Sequence, residues 1–142
     1  MKRFDATVIS TGAAHALTWV VALWLAFGPV YQGAAITAVT PGGVAGESTR
    51  TTATLIEVNG LSVLPLLLAP VVLTALALLA VLLTHAGQPR RKVLLWGSAV
   101  LLLGLCAVGI ASIGLFYLPA ALALVFSAVL GSLGRAAETK TG

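Results

Sequence analysis

The amino-acid sequence predicts an all-α integral membrane protein with four transmembrane helices in an antiparallel up-down-up-down bundle. Hydrophobic residues make up 59% of the 142 residues and charged residues only 8%, and the mean hydropathy is +1.07. Because a soluble domain carries about 25% charged residues, this chain has too few polar side chains to cover a water-facing surface. A single cysteine, Cys106, excludes a secreted disulfide scaffold.

Four apolar stretches define the predicted spans, since a helix needs about 20 apolar residues to cross a bilayer. They cover residues 13–31, 61–84, 93–113 and 118–133 and form one membrane domain over residues 1–142, with an outer loop at 32–60 and a cytoplasmic loop at 85–92. The first run exceeds the roughly 7–15 apolar residues of a signal peptide and has no clear cleavage site, which favours a retained span. The uncharged link at 114–117 predicts that the last two spans form an antiparallel hairpin.

Prolines modify the second and fourth spans. Pro70 lies deep in the second span and lacks a backbone donor, which predicts a kink near Leu66. No charged residue accompanies this proline, so we favour a bent passive helix over the broken helix of a transporter. Pro119 is expected to open the fourth helix in its first turn.

Lysine and arginine are distributed unevenly about the spans, and this sets the predicted orientation. One side carries seven basic residues and the other only Arg50. The seven are Lys2, Arg3, Arg90, Arg91, Lys92, Arg135 and Lys140. By the positive-inside rule, both termini are cytoplasmic and the loop at 32–60 faces outward. We interpret Arg90, Arg91 and Lys92 as lipid and topology anchors rather than as a nucleic-acid patch, which makes the bilayer a predicted partner.

Rows of small residues predict where helices pack, because helices in lipid associate through close backbone approach and hydrogen bonds. Two rows have a spacing of four residues. They are Ala123, Ser127 and Gly131 in the fourth span, and Ala14, Thr18 and Ala22 in the first. Such rows indicate helix contacts, either within the bundle or between copies of the chain.

The outer loop contains two flanks rich in β-branched residues, at 34–39 and 51–58, around the turn Pro41-Gly42-Gly43. This pattern favours a short β-hairpin. Four spans, cytoplasmic ends and a larger first outer loop form a plan similar to that of claudin-like tetraspan proteins. The Trp and paired Cys that mark the loop of that family do not occur in residues 32–60, so the resemblance implies nothing about function.

The candidate cofactor ligands are His15 and His85, which the predicted spans place at the same depth near the inner membrane surface. Two such histidines can hold a haem iron. The alternative, which we favour, is that both are hydrogen-bonding groups at the interface, and we therefore expect no cofactor and no metal. Cys106 lies too deep in the third span for either histidine to reach, and it is expected to behave as a small hydrophobe.

The predicted spans contain no Asp, Glu, Lys or Arg, which are the residues that proton relays and ion-coupling sites use in membranes. We therefore expect a non-catalytic accessory or scaffolding subunit that packs with another membrane protein or forms a homo-oligomer, in the plasma membrane of a bacterium. An oligomeric channel or small-solute transporter is the alternative, and a bis-histidine haem subunit is a further one. No nucleic-acid partner is expected.

Overall fold

A computed structural model describes residues 6–36, 48–85, 88–109 and 112–138. The described chain is mostly helical, and a two-stranded sheet follows the first helix. The elements are α1 (Ala6–Phe27), β1 (Tyr31–Ile36), β2 (Ser48–Ala53), α2 (Leu55–Asn59), a 3-10 turn (Gly60–Val63), α3 (Leu64–Leu83), α4 (Pro89–Val108) and α5 (Gly114–Glu138).

Four helical segments are long and apolar enough to cross a membrane, which confirms the four apolar helices predicted from the sequence. They are Ala6–Phe27, Leu55–Leu83, Pro89–Val108 and Gly114–Leu133. Large apolar side chains on their outer faces are exposed, among them Leu82, Val100 and Phe126, each at about 60%. A soluble protein rarely exposes apolar surface so extensively, and these segments therefore suit a multi-pass membrane protein.

The chain divides into two compact units, Met1–Ala22 with Leu68–Gly142 and Leu23–Leu67. In the first unit, α4 and α5 pack along one another. The indole N–H of Trp96 donates to Ser132 Oγ at 3.2 Å, and a Cβ added at Gly131 would lie 3.3 Å from Leu95 Cδ1. Since Gly109 also contacts Gly114 where the two helices meet, α4 and α5 run antiparallel.

The connection between α4 and α5 depends on two glycines. The Gly114 N–H donates to the Gly109 carbonyl at 2.8 Å, and a Cβ on Gly114 would lie 2.4 Å from the Cys106 carbonyl oxygen. Helix α5 therefore begins at Gly114, and Pro119 lies inside it. The expectation that Pro119 opens the helix is wrong, because the close backbone contact at Gly114 sets the start.

Helix α3 continues through Pro70 from Leu64 to Leu83. Pro70 is buried, and Thr74 one turn later directs its hydroxyl at the carbonyls of Pro70 and Val71, both at 3.0 Å. Proline removes one intrahelical hydrogen bond, but in this helix it does not end the element.

The second unit contains the antiparallel pair β1 and β2, which confirms a two-stranded sheet, although each strand begins three residues before the predicted flank at 34–39 or 51–58. Tyr31 faces Ala53 and Gly33 faces Thr51. The predicted turn at Pro41-Gly42-Gly43 lies outside the described residues. Near the open end of the pair, the Thr51 hydroxyl donates to the Gly33 carbonyl at 3.3 Å.

The expected second strand over 51–58 ends earlier, at Ala53, and its remainder forms α2. The cause is a capping box. The Thr54 hydroxyl accepts from the Glu57 N–H at 3.2 Å, and the Glu57 carboxylate accepts from the Thr54 N–H at 2.6 Å. This Thr-x-x-Glu pattern is a helix-start signal, and it outweighs the β-branched residues that follow it.

Candidate functional site

One face of α1 is buried in the first unit and combines hydroxyls with small side chains. Thr7, Thr11, Ala14, Thr18 and Ala22 recur at intervals of three or four residues, and none is more than 5% exposed. We call these five residues the α1 seam. Their spacing places them on one side of the helix, and the hydroxyls of Thr11 and Thr18 each meet a hydroxyl of a neighbouring helix.

The first half of the seam contacts α5 through Ser127. The hydroxyls of Thr11 and Ser127 lie 2.5 Å apart. Each also has the carbonyl of Thr7 as an acceptor, at 2.7 Å from Thr11 and 3.2 Å from Ser127. Both hydroxyl protons therefore have acceptors in any arrangement. Thr11 and Ser127 are fully buried, and the hydrogen bond between them fixes the register of α1 against α5.

Gly131, one turn after Ser127, allows three helices to approach closely. A Cβ added there would lie 3.3 Å from Leu95 Cδ1 on α4 and 3.6 Å from Thr7 Cγ2 on α1. The contacts Thr11–Ser127 and Thr7–Gly131 advance in opposite directions along the chain, so α1 and α5 run antiparallel. Of the two possibilities left open by the sequence, the structure places Ser127 and Gly131 in contacts within the chain; Ala123 is half-buried.

The second half of the seam contacts α3 through Thr74. The Thr74 hydroxyl lies 3.0 Å from Thr18 Oγ1 and 3.0 Å from His15 Nδ1. Thr18 also donates to the His15 carbonyl at 2.7 Å. Thr74 and Thr18 are fully buried and His15 is half-buried. A short polar network therefore joins α1 to α3.

The neighbour of His15 on the exposed side is Trp19, and it determines which imidazole nitrogen carries the proton. The indole N–H of Trp19 donates to His15 Nε2 at 3.2 Å. An indole N–H only donates, so Nε2 must be the acceptor, and the proton of the neutral imidazole is on Nδ1. That Nδ1–H then donates to the Thr74 hydroxyl, whose own hydrogen has three acceptors within reach: Thr18 Oγ1 and the carbonyls of Pro70 and Val71. The ring planes of His15 and Trp19 stand nearly perpendicular, at 82°.

His15 and His85 do not lie at the same level along the helices, contrary to the sequence expectation. Helix α1 begins at Ala6, so His15 lies in its third turn and at the level of Thr74. The nine residues from Thr74 to the end of α3 span about 14 Å at 1.5 Å per residue, and His85 follows that end, exposed. Both nitrogens of His15 are hydrogen-bonded, Nδ1 to Thr74 and Nε2 to Trp19, so in this arrangement neither is free to face a ligand shared with His85.

The basic residues at the start of α4 differ in exposure. Arg90 is exposed, Lys92 is half-buried, and Arg91 is only 6% exposed. Arg90 and Lys92 can therefore meet lipid headgroups, whereas the Arg91 side chain is directed into the protein. Cys106 is a buried free thiol on the same helix.

The sequence missed Thr7, Thr11 and Thr74 as contact residues. Thr7, Thr11 and Thr18 do share one helix face, which is a detectable signal, but the sequence does not indicate which residue on another helix each hydroxyl meets. Within the described ranges, no three His, Cys, Asp or Glu side chains form a group that could hold a metal ion. No protein-family model, curated protein or solved structure matches this chain. The arrangement of hydroxyls and a neutral imidazole is suited to joining helices.

Proposed function

We propose that this chain is a non-catalytic accessory or scaffolding subunit of a bacterial plasma membrane, which packs with other membrane helices or with copies of itself. The observation that carries the proposal is the use of polar groups inside the helices. Thr11 and Ser127 bond to each other across α1 and α5, and Thr18 and His15 bond to Thr74 across α1 and α3. These groups stabilise the fold, and the exposed faces are apolar.

In the proposed arrangement the four helices alternate in direction and both termini are cytoplasmic. Seven of the eight basic residues then lie on the cytoplasmic side, in agreement with the positive-inside rule. The hairpin of β1 and β2, together with the rest of the loop at 32–60, then faces outward.

Cysteine labelling tests this orientation. In a Cys106→Ala background, Gln88→Cys and Thr139→Cys should react with an impermeant maleimide only after the membrane is opened. Gly46→Cys should react from outside in intact cells. Reaction of Gly46→Cys and Gln88→Cys from the same side would refute four alternating spans.

A tryptophan scan tests the proposed role, because a bulky ring disturbs an assembly surface and is tolerated where the helix faces lipid. The scan uses one exposed residue on each long helix. These are Val20, Leu82, Val100 and Phe126, each about 60% exposed. We expect the purified protein to retain a membrane partner or to self-associate in mild detergent, and we expect one or two of the four variants to weaken that assembly.

Solute flux separates the proposal from its alternative. The pure protein in proteoliposomes should give no flux of ions or small solutes above that of protein-free vesicles. Flux that survives purification would favour an oligomeric channel or transporter. A monomer without partners in native-membrane extracts, unchanged by all four tryptophans, would contradict the scaffolding role.

A further inference from the structure

A lateral groove of about 520 Å³ lies between α3 and α4 in the first unit. Its walls are apolar. They include Leu76, Leu79 and Leu83 from α3, and Val93, Gly97 and Leu101 from α4. Among the residues that the structure describes, Thr84 and Ser98 supply the only hydroxyls of the lining. The volume is within the roughly 300–1,000 Å³ typical of ligand clefts.

The groove has the length of one bilayer leaflet. Its lining extends from Leu73 on α3 to Thr84, directly after that helix, and from Val93 to Leu101 on α4. At 1.5 Å per residue these walls are roughly 12–16 Å long, about half of the roughly 30 Å hydrocarbon core. A transmembrane helix would need a groove along the whole span, whereas one lipid acyl chain needs only this much.

The groove opens beside positive charge at the end where α3 and α4 are connected. Val93 and Leu94, which line it, also line a shallower depression next to Pro89 and Arg90. Arg90 is exposed, whereas Lys92 lies on the opposite side of α4 by helix periodicity. The sequence has no Asp or Glu between Glu57 and Glu138, so no acidic residue in α3 or α4 offsets the charge of Arg90.

We propose that the groove between α3 and α4 binds an anionic phospholipid, with an acyl chain along the apolar walls and the headgroup phosphate at Arg90. Charge complementarity and leaflet length both favour this occupant. A guanidinium matches a phosphate through paired N–H donors, and each basic side chain near an anionic surface contributes about 1 kcal/mol. The inference rests on the proposed membrane insertion and not on the scaffolding role.

Two matched pairs of variants test the groove and its charge separately. Gly97 lines the groove and Gly104 does not, yet both lie on α4 and a Cβ on either meets no atom within 4 Å. Gly97→Leu therefore fills the groove without a clash, and Gly104→Leu controls for the added leucine. Arg90→Gln removes the charge at the mouth, and Arg50→Gln removes an exposed charge on β2 in the other unit.

The measurement is native mass spectrometry of the detergent-purified protein titrated with dioleoyl phosphatidylglycerol or dioleoyl phosphatidylcholine. We expect the anionic lipid to bind more tightly, Arg90→Gln to weaken it about fivefold, as one basic charge predicts, and Gly97→Leu to abolish the preference. Gly104→Leu and Arg50→Gln should match the parent protein. Inorganic phosphate should not compete, because the acyl chain holds the lipid in place.

Three results would overturn the proposal: equal binding of the two lipids, equal behaviour of Gly97→Leu and Gly104→Leu, or displacement of the lipid by phosphate alone. A fall in oligomer size for Gly97→Leu alone would assign the groove to a helix of another copy instead. Thermal midpoints of all four variants verify that each is folded. Membrane insertion is measured independently by the labelling experiment, so a loss of lipid preference in an inserted protein counts against the groove alone.

Discussion

The contacts of α1 and those between α4 and α5 are made in different ways. Helix α1 contacts residues far away in the sequence through hydroxyls and an imidazole. Thr11 and Ser127 differ by 116 in residue number, and His15 and Thr74 differ by 59. Helices α4 and α5 are joined by a short glycine turn and pack mainly through apolar side chains such as Leu95, Leu102 and Leu124.

The difference shows what each contact requires in lipid. Apolar burial does not distinguish a neighbouring helix from lipid tails, so association depends on close packing and interhelical hydrogen bonds. A short connection already holds α4 against α5, and close packing is sufficient there. No short connection holds α1 against α5, so the register of that pair depends on the hydrogen bond between Thr11 and Ser127.

The largest effect is expected from Ser127→Leu, which should break the contact between α1 and α5. Ser127 is fully buried, so the larger side chain has no space and the hydroxyl bonded to Thr11 is lost. Overpacking a filled interior costs about 1–3 kcal/mol, and we expect Ser127→Leu to lower the free energy of unfolding by an amount at the upper end of this range. Thermal unfolding in mild detergent measures the loss.

Val125→Leu is the matched control, since Val125 is half-buried on another side of α5. Gly131→Leu should behave like Ser127→Leu, because its side chain would meet Leu95 and Thr7. If Gly131→Leu unfolded at the same temperature as Val125→Leu, the row Ala123, Ser127 and Gly131 would not be a packing surface.

A smaller loss of stability is expected from Gly114→Ala, which changes the turn between α4 and α5. The added Cβ would lie 2.4 Å from the Cys106 carbonyl oxygen, so the turn between α4 and α5 must shift. We expect a loss of about 1–2 kcal/mol, in the lower part of the range for overpacking. Gly104→Ala adds the same methyl group in open space and should not destabilise the protein. Equal midpoints for the two variants would show that the turn is not held by backbone contact.

The smallest effect is expected from Thr74→Val, which keeps the side-chain shape and removes the hydroxyl. The Nδ1–H of His15 and the hydroxyl of Thr18 then lose an interhelical partner. Hydrogen bonds between membrane helices average about 0.6 kcal/mol and reach about 1.7 kcal/mol.

Thr84→Val is the control for Thr74→Val, because the Thr84 hydroxyl donates to the Ala80 carbonyl of its own helix. The free energy of unfolding in mild detergent should fall for Thr74→Val and change less for Thr84→Val. If the two variants lost equal stability, the polar network between α1 and α3 would contribute nothing to their association.

Composition and hydropathy were sufficient to predict four apolar helices, since the length of each apolar run is a direct physical requirement of the bilayer. The start of α1 was not predictable from apolar runs, because Thr7, Ser10 and Thr11 interrupt the pattern. In the structure, the hydroxyls of Ser10 and Thr11 bond to the Thr7 carbonyl of their own helix. Helix α1 therefore begins earlier than the predicted span, and His15 lies in its third turn rather than near its start.

The remaining errors have local and tertiary causes. The capping box of Thr54 and Glu57 is visible in the sequence and would have identified α2. The meeting of Thr11 with Ser127, or of His15 with Thr74, depends on which helices become neighbours. Hydroxyl-bearing residues occur on several faces of these helices, so the sequence alone does not pair them.

The hydroxyls of Thr11 and Thr18 bond both to a carbonyl of α1 and to a hydroxyl of another helix, and this has a consequence for biosynthesis. Thr11 and Thr18 each donate to a carbonyl of α1 itself, at 2.7 Å in both cases. If α1 spans the membrane as proposed, the nascent helix carries these two threonines into the bilayer with each hydroxyl proton already bonded, which avoids the cost of an unsatisfied polar group in hydrocarbon. Ser127 is synthesised more than a hundred residues later. We expect α1 to enter the membrane unaccompanied, and its oxygens to remain available as acceptors until α3 and α5 arrive.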